Sequence, residues 1–402
     1  MDNFFSRYAF GMQYQSDNRI TYIGYTNWRQ QYKHFGIRAK DRWQHIYALG
    51  KTGMGKSSLL FSMALQDIEY GNGVAILDPH GDTAAQLMHH IPEHRKRDVV
   101  YFNAGDTTNP PAFNPLEMGS KEQKHLLASE IVSIFKKNWL DSWGVRLEYI
   151  LRYCILTLLE YPGTTLLDIH TLLLSKAFRT VILAKVSDKS IANFWINEFD
   201  TYTPSQRNEA ISSILNKSGA FGANTAIKRI VGQRTGSIDI QEIVDSGKIL
   251  IVNLSKGQIG EQACALLGSM LTTSIQMAAM RKARLDMVDR QPFYLYLDEA
   301  HSFLTPSFAQ MLAECRKYKL GLFLTHQYLD QLTEDTRHAV LGNVGTLIAF
   351  RLGTKDARIF KDEFYPVFDT EDFVNLPQFH IYIKLSIDGS TSRAFSATIN
   401  AP

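Results

Sequence analysis

Cysteine is scarce in this chain. Its 402 residues contain three cysteines, Cys154, Cys264 and Cys315. An odd number of widely spaced cysteines excludes a fully paired disulfide framework and fits no zinc-binding spacing. We therefore expect each thiol to be a small buried residue in a protein of a reducing compartment.

The chain also lacks a long uninterrupted apolar run. Residues 1–10, MDNFFSRYAF, contain neither the apolar segment nor the small-residue cleavage site of a signal peptide. The most apolar stretch, residues 263–280, is interrupted by polar side chains: Ser269, Thr272, Thr273, Ser274 and Gln276. We interpret this stretch as a buried core helix, so no transmembrane segment is predicted in this chain.

Neither sign of charge dominates. The 43 lysines and arginines nearly balance the 40 aspartates and glutamates, so the totals reveal no strongly basic surface. Residues 119–235 nevertheless carry 15 basic and 10 acidic side chains. This local excess would favour a polyanion such as DNA, although solvated helix faces can have the same composition. With 45% hydrophobic residues the chain can bury a large core, and its length favours two domains.

Residues 45–58, HIYALGKTGMGKSS, form the most informative stretch. An apolar strand leads into the pattern GxxxxGK followed by Ser, the phosphate-binding loop of nucleotide hydrolases, and a helical run begins there. The glycines let backbone N–H groups converge on phosphates, and the helix N-terminus adds a favourable dipole. We expect Lys56 to span the β- and γ-phosphate oxygens and Ser57 to hold Mg²⁺. The predicted nucleotide-binding residues are Gly50, Thr52, Gly53, Met54, Gly55, Lys56, Ser57 and Ser58.

A second chemical signal follows an apolar strand at residues 293–297, which delivers Asp298 and Glu299 at its carboxyl end. In a phosphate-loop enzyme an Asp here orients the Mg²⁺ shell, and a following Glu can polarise the attacking water. Nearby His301 is interpreted as a helix-start hydrogen-bonding residue in preference to a catalytic one. Gln327 follows the strand at residues 322–324, so it can either sense the γ-phosphate or cap the next helix.

The order of the predicted elements indicates an α/β protein. Strands are expected at residues 20–26, 74–77, 99–103, 248–254 and 346–350, besides those already named. Their alternation with helices predicts a mostly parallel, doubly wound sheet, closed by an antiparallel pair in HIYIKLSID and SRAFSATI. Residues 121–230 contain helical patterns almost alone, which indicates an inserted all-α domain. The predicted divisions are an approach segment at 1–44, core segments at 45–115 and 241–402, and the insertion at 116–240.

With these features in this order, the chain resembles the FtsK/HerA superfamily of DNA-translocating ATPases. The resemblance runs from about Ile20 to the C-terminus and is closest to the TraD-like coupling ATPases of conjugative type IV secretion. The stretches that carry it are FGIRAKDRWQHIYALGKTGMGKS, LDPHGD, FNPLE, LIVNLSKGQIGEQ, LYLDEAHSF, LAECRKYKLGLFLTHQYLDQL and GNVGTLIAFRLG.

The resemblance implies a RecA-like core that binds ATP and Mg²⁺ between the subunits of a ring, usually hexameric, with DNA threaded through its centre. Lys56 and Ser57 match the phosphate-loop pair, and Ser57 and Asp298 would hold the metal. Asp298 and Glu299 match the metal and water pair, and Gln327 matches the polar sensor. The inserted helices are similar to the all-α domain at the ring mouth of coupling proteins.

Arg316 matches the position from which one subunit is expected to reach into its neighbour's site. An arginine supplied in trans neutralises charge on the transferred phosphoryl group and can be worth about 10³ or more in rate. Arg351, which follows a strand, is the substitute if Arg316 is only a surface residue. Contacts with DNA are expected from Lys256 and from the basic helix end, which contains Arg281, Lys282 and Arg284.

One departure from the resemblance concerns the membrane. Coupling proteins commonly carry N-terminal transmembrane helices, and none is predicted here, so we expect a cytoplasmic protein that is at most peripheral to the inner face of the membrane. Relaxase and secretion-channel components are the partners that the resemblance implies. Two alternatives stay open: a HerA-like or packaging translocase in DNA repair or defence, and an ATP-gated adaptor that binds protein cargo without moving DNA.

Overall fold

A computed structural model of the chain describes residues 19–27, 32–117 and 123–400. The stretch in which no signal peptide is expected, residues 1–10, lies outside the described residues.

The strands in the described residues are β1 (Ile20–Thr26), β2 (His34–Arg38), β3 (Ile46–Leu49), β4 (Gly73–Asp78), β5 (Val99–Asn103), β6 (Ile249–Asn253), β7 (Phe293–Leu297), β8 (Leu320–His326), β9 (Thr346–Ala349), β10 (His380–Lys384), β11 (Ser386–Ile387), β12 (Ser390–Thr391) and β13 (Phe395–Ile399).

The α-helices are α1 (Lys56–Glu69), α2 (Asp82–His90), α3 (Lys124–Asn138), α4 (Val145–Leu159), α5 (Asp168–Leu174), α6 (Lys176–Leu183), α7 (Lys189–Asn193), α8 (Pro204–Ala223), α9 (Thr225–Val231), α10 (Ile240–Asp245), α11 (Lys256–Ile259), α12 (Glu261–Arg281), α13 (Pro306–Cys315), α14 (Glu334–Asn343), α15 (Thr354–Phe364) and α16 (Thr370–Asn375). Short 3-10 turns connect several of them, including Arg316–Tyr318 before β8 and Leu329–Gln331 after it.

One large sheet organises the fold, with the strand order β2-β1-β13-β10-β9-β3-β8-β7-β4-β6-β5. From β9 to β5 all neighbouring strands run parallel, and β10, β13, β1 and β2 extend this part with antiparallel pairing. The mostly parallel sheet expected from the sequence is confirmed, and so is the antiparallel closing pair, in which β10 pairs with β13.

Helices cover both faces of the parallel strands. Successive side chains of a strand point to opposite sides of the sheet, so each strand contributes to both packed layers. Ile46, Val74 and Tyr296 face the side on which α1 and α2 pack, whereas Tyr47 and Leu77 face α12 and the remaining helices. Near-continuous apolar strands are the pattern expected of a sheet buried on both faces.

Between β5 and β6 the described residues form helices and no strand, in agreement with the helical patterns of the sequence. Helix α3 of this region packs against α12 and α13, which belong to the part of the chain after β6. The helical region therefore shares a hydrophobic core with one face of the sheet. Its limits as a separate domain, 116–240, stay a prediction.

Helix α12 is the buried core helix that its polar interruptions predict. The helical stretch Glu261–Arg284 is long and apolar enough to cross a membrane, but 89% of its most apolar window is buried inside the fold. Cys154, Cys264 and Cys315 are likewise buried free thiols, as expected.

A buried histidine ties the start of β3 to its neighbours. His45 is 1% exposed, its Nε2 lies 2.9 Å from the carbonyl oxygen of Leu312, and its Nδ1 accepts the N–H of Leu322 at 3.3 Å. Burial lowers the pKa of His45 from 6.5 to about 4, so the folded protein holds a neutral ring where the unfolded chain would take up a proton.

We predict that acidification from pH 7 to pH 5 removes about 2 kcal/mol of stability through His45, since the unfolded state binds more protons over this range. Urea unfolding followed by tryptophan fluorescence at both pH values measures the loss. His45→Gln should be less stable at pH 7 but should lose less on acidification. An equal loss in the two proteins would contradict the prediction.

Candidate nucleotide-hydrolysis site

The phosphate-binding loop joins β3 to α1 and depends on glycine at two points. Gly53 and Gly55 have φ angles of 76° and 113°, a region that L side chains rarely adopt. A Cβ on Gly55 would also lie 2.8 Å from a ring carbon of Phe379. The backbone path from the loop into the first turn of α1 therefore requires glycine at these two positions.

The tip of this loop is held by a segment near the C-terminus. Gln378 Nε2 donates to the carbonyl oxygen of Gly53 at 2.8 Å, and the N–H of Phe379 donates to that of Met54 at 3.0 Å. Sequence reasoning assigned no role to residues 377–379, because they precede β10 without any recognisable pattern. The sheet brings them to the loop by pairing β10 beside β9, which neighbours β3.

Lys56 is buried at the start of α1, and its ammonium group turns back into the loop. Nζ donates to the carbonyl oxygens of Gly50 at 2.7 Å and Lys51 at 3.1 Å. Burial lowers the pKa of Lys56, whereas the nearby carboxylates Glu299 and Asp298 raise it. The ammonium group of Lys56, which the sequence assigns to phosphate binding, thus lies between the loop and the two carboxylates.

The side chains of Ser57 and Thr325, which come from separate elements, meet at Asp298. Its Oδ2 accepts a hydrogen bond from Ser57 Oγ at 2.9 Å, and its Oδ1 accepts one from Thr325 Oγ1 at 2.6 Å. These elements are adjacent because β8 lies between β3 and β7, so the carboxyl ends of all three strands share one edge.

The oxygen atoms of Ser57 and Asp298 fit Mg²⁺, which prefers hard oxygen ligands and is usually held by one or two protein groups together with substrate phosphates. Within the described ranges no group of three or more His, Cys, Asp or Glu side chains is arranged to hold a metal ion. A magnesium ion at this edge would therefore be completed by nucleotide phosphate oxygens and water. Its contribution there would be to neutralise phosphate charge.

Glu299 adopts an unusual backbone conformation beside Asp298, with φ of 48° and ψ of 50°. Its Oε1 accepts a hydrogen bond from Gln327 Nε2 at 2.8 Å. Its Oε2 is buried and has no hydrogen bond in the described residues, although His301 Nδ1 lies 3.4 Å away. Buried carboxylate oxygens are normally paired, so a free one at this edge is suited to bind and polarise a water molecule.

His301 lies in the short 3-10 helix Ala300–Ser302, as a helix-start residue would, but its ring contacts side chains and does not cap α13. The residue that caps α13 is Thr305, whose side chain accepts from the N–H of Phe308. The ring of His301 instead lies between Glu299 and Gln331, where burial and the nearby cations Lys256 and Lys137 lower its pKa to about 4. His301 is thus a neutral residue of the site.

The two candidate arginine fingers lie at opposite edges of the sheet. Arg316 is exposed and precedes β8, whereas the phosphate loop lies beyond the other end of this strand, roughly 20 Å away by the rise of its residues. Arg351 follows β9 on the loop side, and its carbonyl oxygen accepts the N–H of Lys51 at 2.9 Å. Arg351 therefore neighbours the loop of its own chain, and Arg316 cannot reach it.

The four predicted DNA contacts are also divided between the two edges. Lys256 begins α11 on the loop side, where its N–H donates to the carbonyl oxygen of Pro79. Helix α12 spans about 30 Å and ends on the other side. There the side chain of Lys282 is 2% exposed and donates to the carbonyl oxygen of Gln291 at 2.7 Å. A buried ammonium with this partner is not on a DNA-binding surface, so the expectation for Lys282 was wrong.

The neighbours of Lys282 differ from it in exposure. Arg281 is half-buried and donates to the side-chain oxygens of Gln123 and Gln241, both at 3.0 Å. Arg284 is exposed. DNA contact by Lys256, Arg281 or Arg284 stays a prediction.

Sequence reasoning missed two residues of the site. Thr325 binds Asp298, and Gln331 accepts the N–H groups of Gln327 and Tyr328 at 3.0 and 3.1 Å. The position of Thr325 at a strand end was a usable signal, because polar residues at the carboxyl ends of parallel strands face the ligand. Gln331 lies in a 3-10 turn, and no pattern marks such a residue.

A family model described as the central domain of the helicase HerA matches residues 33–275, more than half of the chain. This chain belongs to the HerA helicase family. A second model, described as the TraM recognition site of TraD and TraG, matches residues 292–362. The two matches confirm the resemblance to FtsK/HerA and TraD-like proteins. No curated protein matches the chain.

Solved structures share the fold of this HerA family member. The bacterial conjugative coupling protein TrwBdeltaN70 matches with a TM-score of 0.66 and 14% identity over 91% of this chain and 86% of that chain. VirB4 of Thermoanaerobacter pseudethanolicus matches with a TM-score of 0.67 and 16% identity over 96% and 98%. The plasmid coupling protein TrwB in complex with ADP and Mg²⁺ matches with a TM-score of 0.62 and 16% identity over 90% and 86%. The RecA-like phosphate-loop fold is thereby confirmed.

We predict that Thr325→Val weakens the Mg²⁺-dependent part of nucleotide binding about tenfold, because Asp298 loses a charge-assisted hydrogen bond. Titration of a fluorescent ATP analogue with and without Mg²⁺ measures this part. Thr325→Ser retains the hydroxyl and should bind nearly as the parent does. Equal affinities for Thr325→Val and the parent at every Mg²⁺ concentration would contradict a role for this contact.

Proposed function

We propose that this protein is a Mg²⁺-dependent ATPase that moves DNA, or a nucleoprotein, as a ring-shaped coupling ATPase of conjugative type IV secretion. The observation that supports the ATPase chemistry best is the connected set Ser57, Asp298, Thr325, Glu299 and Gln327. It contains a metal-binding pair, a carboxylate with a free oxygen, and an amide that contacts that carboxylate.

Each group of the set has a role in phosphoryl transfer to water. The loop amides and Lys56 bind the phosphates, and Ser57 and Asp298 bind the metal that neutralises their charge. Glu299 orients and polarises the attacking water through its free oxygen. Gln327 contacts Glu299 and lies at the same sheet edge, so it can report the presence of a γ-phosphate to the general base.

Hydrolysis is completed by a neighbouring subunit. Arg316 is exposed at the edge opposite the phosphate loop, so any contribution it makes to catalysis is made in trans. In a ring of subunits this edge of one chain would face the nucleotide of the next. Such an arrangement makes ATP turnover depend on assembly, and a hexamer is the form that we propose.

The match to the TraM recognition model favours the coupling function over the other functions considered. It covers β7, β8 and the segment that carries Arg316, and its description refers to TraD and TraG. We therefore propose relaxase and secretion-channel components as partners and a site of action at the cytoplasmic face of the membrane. The HerA model covers more of the chain, so a HerA-like translocase is the second candidate.

The decisive experiment is the steady-state ATPase rate as a function of protein concentration, with and without single-stranded and duplex DNA. We expect DNA to stimulate turnover and specific activity to rise on assembly. Stimulation should fall steeply with salt, since Lys and Arg contacts with phosphates release counterions. A low rate that is linear in protein and indifferent to DNA would reject the motor and favour the protein-cargo adaptor.

We predict that Glu299→Gln binds ATP but lowers turnover at least about 100-fold, because the general base is lost. Lys56→Ala should instead lose nucleotide binding or productive hydrolysis. Binding titrations and phosphate-release assays on the same preparations separate the two effects. Surviving turnover in Glu299→Gln would mean that another residue activates the water.

We predict that Arg316→Ala leaves ATP binding intact but inhibits the ATPase activity of rings that also contain parent subunits. When parent and variant subunits are mixed, each variant subunit disables a neighbouring site. The sites of a ring that moves DNA are expected to fire in a coordinated cycle, so the ATPase rate should fall below the weighted mean of the two proteins. Arg351→Ala is the matched control, because Arg351 adjoins its own loop. A purely additive loss for Arg316→Ala would reject a coordinated role in trans.

A further inference from the structure

A chain of polar side-chain contacts runs from the candidate general base into the core. Glu299 Oε2 lies 3.4 Å from His301 Nδ1, and His301 Nε2 lies 3.4 Å from Gln331 Nε2. On the far side of Gln331, its Oε1 lies 3.2 Å from His326 Nδ1, and His326 Nε2 is hydrogen-bonded to the hydroxyl of Tyr47. Gln331 thus lies between the partly exposed ring of His301 and the buried ring of His326.

The orientation of the Gln331 amide follows from its backbone partners. Its Oε1 lies 3.0 Å from the N–H of Gln327 and 3.1 Å from the N–H of Tyr328. Both partners are donors, so only the carbonyl oxygen of the amide can face them. Rotation by 180° would set two N–H groups against the amide NH₂. The NH₂ group therefore faces His301 Nε2.

This orientation determines where His301 carries its proton. The amide NH₂ has no acceptor capacity, so His301 Nε2 must be the acceptor in this contact and carries no hydrogen. The Ser302 hydroxyl lies 3.3 Å from the same nitrogen and can also donate to it. Since the ring is neutral, its proton is on Nδ1, the nitrogen that faces Glu299 Oε2.

We propose that Gln331 is a positioning residue that fixes the Nδ1–H tautomer of His301, so that His301 and Gln327 together orient the two carboxylate oxygens of Glu299. The inference rests on the proposed ATPase function, to which it adds an outer layer of the same site. The 3.4 Å separation is long for a hydrogen bond, and contacts of catalytic groups commonly tighten when substrate binds.

One residue thereby links the water-polarising carboxylate to the turn that carries Gln327. Gln331 holds the backbone N–H of Gln327 through its oxygen and His301 through its nitrogen. Movement of the turn would change both contacts of Glu299 together. A rotation of the Gln331 side chain alone would release His301 and leave Gln327 Nε2 in place.

The tautomer can be measured without any activity assay. The full chain is prepared with histidine labelled with ¹⁵N at Nδ1 only, and the His301 signal is identified by its loss in His301→Asn. We expect a protonated nitrogen at His301 Nδ1 in the parent protein above pH 7. An unprotonated Nδ1 would overturn the inference whether or not the protein hydrolyses ATP.

Gln331→Glu tests the contacts of Gln331 Oε1 and Nε2 separately. The new carboxylate can still accept from Gln327 and Tyr328, but it has no N–H for His301, so Nε2 must become protonated. If the His301 ring stays neutral, the lone pair of its Nδ1 then faces Glu299. If the ring becomes doubly protonated, its positive charge makes Glu299 a weaker base. We expect kcat to fall about 10- to 100-fold, as for a lost hydrogen bond to a charged group, with KM for ATP nearly unchanged.

His301→Asn provides the matched background, because the Asn amide can place an N–H where Nδ1–H stood. His301 helps to orient Glu299, so we expect this variant to have a lower kcat than the parent. Gln331→Glu should cost little more when added to it, because no ring tautomer is left to change. Equal losses from Gln331→Glu in both backgrounds would overturn the positioning role and indicate general damage to the turn. If the parent protein shows no ATPase activity at all, the proposed function fails, and the tautomer measurement still decides the inference.

Discussion

The hydrogen bonds that join Ser57, Asp298 and Thr325 are the contacts on which the site depends. They connect the first turn of α1 to the ends of β7 and β8, which are distant in sequence. Asp298 is 3% exposed, and a carboxylate so deeply buried is stable only when donors surround it. Ser57, the loop before it and the end of β8 are therefore held in one arrangement by their hydrogen bonds to one buried carboxylate.

Sheet polarity divides the candidate catalytic residues between the two edges of the sheet. All strands from β9 to β5 are parallel, so their carboxyl ends collect the phosphate loop, both acidic residues and Gln327 at one edge. The same polarity puts Arg316, which precedes β8, at the opposite edge. Under the proposed function, a site of this design would contain its metal ligands and general base in cis and would take its final positive charge from another subunit.

The helical region between β5 and β6 contacts the segment that follows Glu299. Lys137 of α3 donates to the carbonyl oxygen of Ser302 at 2.5 Å, and Glu130 accepts from Ser307 Oγ at 2.7 Å. Desolvation lowers the pKa of Lys137 to about 7. Because Ser302 adjoins His301, a displacement of α3 would reach the residues that surround Glu299. The helical region and the hydrolysis site are thus one packed unit and not two tethered ones.

The sequence by itself determined the phosphate loop, the acidic pair, the strand positions and the buried nature of α12, because each depends on local patterns of glycine, apolar runs and chain order. Tertiary structure decided the rest. Thr325, Gln331 and residues 377–379 acquire roles only through strand order, which places remote segments side by side. The expectation for Lys282 was wrong, and the partners of the His301 ring were not predicted, for the same reason: side-chain burial and hydrogen-bond partners depend on residues far away in the chain.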